Sequence, residues 1–168
     1  GVFVYQSFIL ESKNWGEFVI AKSFMFYAVF SVVTLFISGY LIDKYTSRKI
    51  LPLMNIPSLF AMLILYYSDN YISSYFLFGL MGISNGLANV LGSSTWAEIY
   101  GVKHIGSIKA LTTAMMVFST AFGTAVFGVV IDMGYPIEAI AMVSFTYIIC
   151  ANILIVMFKS NIKPVLLK

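Results

Sequence analysis

Five stretches of the chain carry no charged side chain: 23–42, 50–68, 70–97, 110–131 and 139–158. The charged side chains sit in the short gaps between them and in the segments before 23 and after 158. The stretches are 19 to 28 residues long, and roughly 20 apolar residues in a helix cross the ~30 Å hydrocarbon core of a bilayer. Transmembrane β-strands would be about half as long and would alternate polar with apolar positions, which these runs do not. The pattern predicts membrane-spanning helices over about 18–42, 50–67, 71–96, 105–131 and 136–158. A sixth apolar run, 1–10, is too short to span and reads as a helix stub whose first half is missing. It lacks the basic start and small-residue cleavage site of a signal peptide. The expected fold class is an all-α polytopic membrane protein with five complete spans and one truncated helix.

Composition agrees, at 60% hydrophobic and 10% charged, against about 25% charged in an ordinary soluble domain. Charge also supplies an orientation. Alternate gaps lie on opposite sides of a membrane. One set (43–49, 97–109 and the tail from Lys159) holds eight of the ten cations. The other (11–22, 69–70 and 132–138) holds Lys13 and Lys22 with five of the seven acids. Cytoplasmic loops retain Lys and Arg, so the first set is expected inside, with a cytoplasmic C-terminus in a cell membrane of the bacterial inner-membrane kind. Trp15, Tyr66, Tyr67, Tyr71, Trp96, Tyr100 and Tyr135 fall near the interfaces this implies. The net charge of +3 is thus a matter of topology, and no nucleic-acid partner is expected. The lipid bilayer is. Cys150 stands alone, with no disulfide or metal framework, and no cofactor is expected.

The gap 43–49 carries more than topology. Gly39-x3-Asp43-Lys44-x3-Arg48-Lys49 resembles the signature loop of the major facilitator superfamily, G-x3-D-[RK]-x-G-x-[RK]-[RK], found after the second helix of each six-helix half. The resemblance implies a transporter, and this chain as its C-terminal half, helices seven to twelve. Its partners would then be a small solute, a possible coupling ion and the N-terminal half of the same chain. A glycine at a helix end permits close helix approach. An Asp there can accept hydrogen bonds from a neighbouring helix N-terminus. The cations can pair with that Asp or with acids across the gap, forming a gate. Where the family has glycine after the aromatic residue, this chain has Thr46. Thr disfavours the left-handed backbone that Gly permits, so the turn is expected to differ.

Small and hydroxylic residues sort the helices. Gly, Ser, Thr and Asn number twelve in 71–96 and nine in 105–131, but two in 50–67 and three in 136–158. The fourth and fifth helices are therefore expected to be buried or pathway-lining, and the third and sixth peripheral. In the fourth, Gly79, Gly82 and Gly86 form a close-packing pattern. Asn85, Asn89 and Ser93 share one face at i, i+4, i+8, as substrate hydrogen-bonders or as links between helices. The fifth carries Thr113 and Thr120, with Thr124 and Gly128 on the same side. The second carries a stripe of Ser23, Tyr27, Ser31, Thr34 and Ser38. Gln6, Tyr27, Ser31, Asn85, Asn89, Ser93, Thr113 and Thr120 are the candidate pathway residues. Glu98 could pair with Lys103 or Lys109 and join the gate.

Other residues carry less. Lys22 lies about one turn into a span, where its amine can snorkel to the headgroups. His104 is a lone imidazole at the membrane edge. Pro52 suits a helix start and Pro57 a kink. No helix interior holds an acid, so a coupling carboxylate is expected in the missing half or not at all; no metal site is expected. Two further readings remain: a complete small structural or channel-like membrane protein, and an intramembrane hydrolase using Ser93 or Ser94 with His104.

Overall fold

The computed structural model of the chain describes residues 4–101 and 103–158. The side chains of residues 6, 7, 10, 11 and 17 lie outside that description, as do the tail cations Lys159, Lys163 and Lys168. The order is α1 (Gln6–Lys13), α2 (Glu17–Tyr45), α3 (Ser47–Ile50), a 3-10 turn (Leu51–Leu53), α4 (Ile56–Tyr67), α5 (Ile72–Tyr100), α6 (Ile105–Asp132) and α7 (Ile137–Phe158). Five segments are long and apolar enough to cross a membrane: Phe18–Tyr45, Ser47–Tyr67, Ile72–Tyr100, Ile105–Asp132 and Ile137–Phe158.

Helices outrun the apolar stretches into the charged gaps. Asp43 and Lys44 lie in the last turn of α2, and Glu98 in the last turn of α5. The expected loops 43–49 and 97–109 are thus largely helix ends. Backbone hydrogen bonding continues through a polar residue as readily as through an apolar one, so charge marks the membrane edge and not the helix end.

Helix α5 is the centre. It packs most closely on α2, then on α4, which also packs on α7. The α2–α5 contact is made by absent side chains. A Cβ on Gly82 would stand 2.4 Å from the Tyr27 carbonyl oxygen, and one on Gly86 2.7 Å from that of Ser31. A Cβ on Gly79 would meet the Phe30 ring at 3.3 Å. Backbones this near exclude any larger residue. Two apolar clusters flank the contact. Ile9, Trp15, Leu65, Phe78 and Ile140 belong to one, and Ile50, Leu87 and Leu91 form the other.

The third span is broken. Pro57 has no N–H to give and its ring pushes back the carbonyl a turn earlier, so the helix restarts after Asn55. Ser84 of α5 fills the gap: its hydroxyl accepts from the Ser58 N–H at 3.0 Å and donates to the Met54 carbonyl at 2.7 Å. One side chain thus replaces a missing backbone bond.

Two expectations change. The α2 stripe does not face open space: Ser23 and Ser38 are fully buried, and Ser31 and Thr34 nearly so. The α5 glycines bring α5 onto that stripe. The fifth span, α6, has no fully buried residue: Phe127, Val130 and Ile131 pack half-buried against the first apolar cluster, and the rest of the helix is largely exposed. Its small side chains leave it open to a partner or a pathway.

Candidate functional site

Two ends of the bundle and one face between them gather the polar chemistry. At the end holding Lys13, Asp69 and Glu138, the Lys13 ammonium donates to Asp69 Oδ1 at 2.6 Å and to Glu138 Oε1 at 2.8 Å. The Lys13 side chain is 2% exposed while Asp69 is 82% exposed. Trp15 Nε1 donates to the Asp69 backbone carbonyl at 2.8 Å. The clamp thus ties α1, the α4–α5 turn and the start of α7. Burial by itself would lower the Lys13 pKa. The hydrogen bonds to Asp69 and Glu138, and their charges, outweigh it and hold the group above its ordinary value of 10.5. Sequence reasoning missed this clamp. The excess of acids over cations on that side was its only trace.

At the opposite end, Thr46 joins α2 to α3 with φ +70° and ψ 146°, close to a region populated almost only by glycine. Thr46 therefore holds a positive φ that glycine adopts far more freely. Ser47, fully buried, takes a hydrogen bond from Thr95 Oγ1 at 3.1 Å. Its backbone N–H donates to Glu98 Oε1 at 2.9 Å. A carboxylate at a helix N-terminus is favourable, but the one that acts here is Glu98 and not Asp43. Glu98 forms no ion pair with Lys103 or Lys109, because it is carried on α5 beside the start of α3. Asp43, Lys44 and Lys49 are exposed. Among the described residues, none of Asp43, Lys44, Arg48 and Lys49 forms an ion pair. Lys44 instead stands 5.3 Å over the Tyr45 ring. Arg48 Nε and Nη2 are buried without a hydrogen-bond partner. Nothing in the described chain approaches Gly39 within 4 Å of where its Cβ would be.

Between the ends, Asn85 and Asn89 are exposed in the middle of α5. Asn85 Nδ2 donates to Ser31 Oγ at 3.2 Å, Asn89 Nδ2 to the Asn85 carbonyl at 2.9 Å, and Ser93 Oγ to the Asn89 carbonyl at 3.3 Å. Thr113 and Thr120 are exposed on α6. Tyr27 packs against the apolar core and Ser31 is enclosed, so neither shares that open face. The Gln6 side chain lies outside the described residues. Ser93 and Ser94 both donate to carbonyls one turn earlier. His104 follows the end of α5, and no hydrogen bond joins it to either serine.

The family model of the Major Facilitator Superfamily matches residues 1–165. The chain belongs to this superfamily. It is an integral membrane protein of a transporter family, and its five apolar spans are those of that fold. No curated protein and no solved structure matches the chain.

Proposed function

We propose that the chain acts as the C-terminal half of a secondary transporter working by alternating access. A small solute would bind near the bilayer midplane between this bundle and the N-terminal half of the full-length protein, and would be exposed to each side in turn. The observation that carries the reading is the face of α5 on which Asn85 and Asn89 are exposed and Ser93 half-buried. Two amides in lipid would be costly, and the other mid-helix hydroxyls of α2 are enclosed. Thr113 and Thr120 of α6 supply the remainder of the pathway. A coupling ion would be held outside the spans of this half, whose interiors carry no acid.

The basic end is cytoplasmic in this reading, and the α2–α3 turn is part of its gate. Asp43, exposed and without an ion pair among the described residues, meets a helix N-terminus of the other half when the cytoplasmic side closes. Arg48 takes an acid from the same direction. Contacts across halves bias the inward–outward equilibrium without touching the solute. In the full-length protein, Asp43→Asn is expected to shift cysteine accessibility toward the inward-open state and to lower uptake. Unchanged accessibility and uptake would remove the gate from this turn.

A further inference from the structure

Hydrogen-bond polarity along the α5 face narrows the solute class, and this inference rests on that face being the pathway. Asn89 Nδ2 donates to a backbone carbonyl. A carbonyl only accepts, so the amide is fixed with its Oδ1 turned away from that bond. Asn85 spends a proton on Ser31 Oγ. The Ser93 hydroxyl proton goes to the Asn89 carbonyl and that of Thr120 to the Met116 carbonyl. What remains open is dominated by acceptors: two amide oxygens and the lone pairs of Ser93 and Thr120. One proton on each amide and the Thr113 hydroxyl are the donors left over. On α5 the acceptors recur every four residues, about 6 Å along the helix.

Charge narrows it further. Every charged side chain of the five spans lies near a helix end, Lys22 included. An anion at mid-depth would face oxygens with no cation and few donors. A cation would have no carboxylate to offset its desolvation. A neutral solute with several donors meets neither penalty. We infer that this half of the site takes an uncharged, polyhydroxylated small solute, with the Asn85 and Asn89 side-chain oxygens accepting from its hydroxyls.

The test uses the full-length protein in proteoliposomes, with native cysteines replaced (Cys150→Ala in this half) and Ser93→Cys as reporter. The rate of labelling by a water-soluble methanethiosulfonate is measured with pentitols, hexitols and hexoses, with gluconate and with protonated glucosamine. The neutral set is expected to slow labelling at least fivefold, and Asn89→Leu to abolish that protection. Asn89→Asp, which keeps the shape and adds a charge, is expected to transfer protection to glucosamine. Unprotected labelling of each variant reports that the helix is intact. Protection by gluconate with the neutral set inert would overturn the inference, and so would protection by no member of the panel. Failure of the pathway reading shows separately, as a Ser93→Cys thiol that labels in denatured protein but from neither side of the membrane in proteoliposomes.

Discussion

Helices α2 and α6 are 29 and 28 residues long, both apolar and both threaded with hydroxyls, yet their surroundings are opposite. The α2 stripe is enclosed by α5, while α6 has no buried residue. The difference lies in the partner. Helix α5 offers three glycines at the spacing of its own turns, which lets two backbones meet at Tyr27 and Ser31 and encloses the hydroxyls beside them. No such surface in the described chain faces α6. Nothing stands within 4 Å of a Cβ on Gly123, and Gly128 meets only the hydroxyl of Tyr5. Hydroxyls on an apolar helix therefore mark close packing when glycines oppose them and an uncovered face when they do not.

The sharpest way to break the comparison is to give both helices the same insult. Gly82→Leu would drive a side chain into the Tyr27 carbonyl and is expected to cost about 3 kcal/mol, read as a lower midpoint in SDS or thermal unfolding. Gly123→Leu enters open space and is expected to stay within about 0.5 kcal/mol. Equal effects would dissolve the distinction.

A smaller effect is expected at the acidic end, where contact depends on charge. Lys13→Met should cost about 1–2 kcal/mol, below the range for a fully buried pair because Asp69 is largely exposed. The sign of its pH dependence follows from the raised Lys13 pKa. The contribution is whole below the unfolded value of 10.5 and is lost as pH rises through the higher folded value. The gap between wild type and variant should thus be flat from neutral pH to about pH 10 and close above it. A gap that closes near neutrality would mean the clamp does not hold as drawn.

The smallest effect concerns two turns at the basic end. Thr46 and Gly101 both end long helices with φ near +70° and donate their N–H to the carbonyl four residues back. Glycine adopts that backbone freely and threonine does not. Thr46→Gly is expected to stabilise by about 1 kcal/mol, the relief of strain less the entropy that glycine adds to the unfolded chain. A destabilising result would mean that the threonine side chain holds the turn.

Much of the architecture was legible in the chain. The lengths of the uncharged stretches define five spans within a few residues, because crossing a bilayer sets a minimum number of apolar positions. Their ends were not, since Asp43 and Glu98 continue helices past the last apolar residue. Nor did the sequence show that Thr46 would take a positive φ. Helices packed on both sides of a turn dictate its backbone and impose the strain on whatever residue is there. Of the candidate pathway residues, Asn85, Asn89, Thr113 and Thr120 lie open, whereas Ser31 is enclosed by the very glycines whose spacing the sequence displays. The lone stripe could not tell which neighbour it would meet.

By itself, the sequence determined the solvent of this protein, its number of crossings and the sidedness expected from its charges. These depend on sums over local composition. Tertiary structure alone decided that Glu98 and not Asp43 caps the start of α3, that Lys13 joins Asp69 and Glu138, and that Ser84 mends the helix broken before Pro57. Each of these is a contact between residues 26 to 125 positions apart. Such contacts form only where packed backbones bring donor and acceptor within about 3 Å, and no local pattern carries that distance.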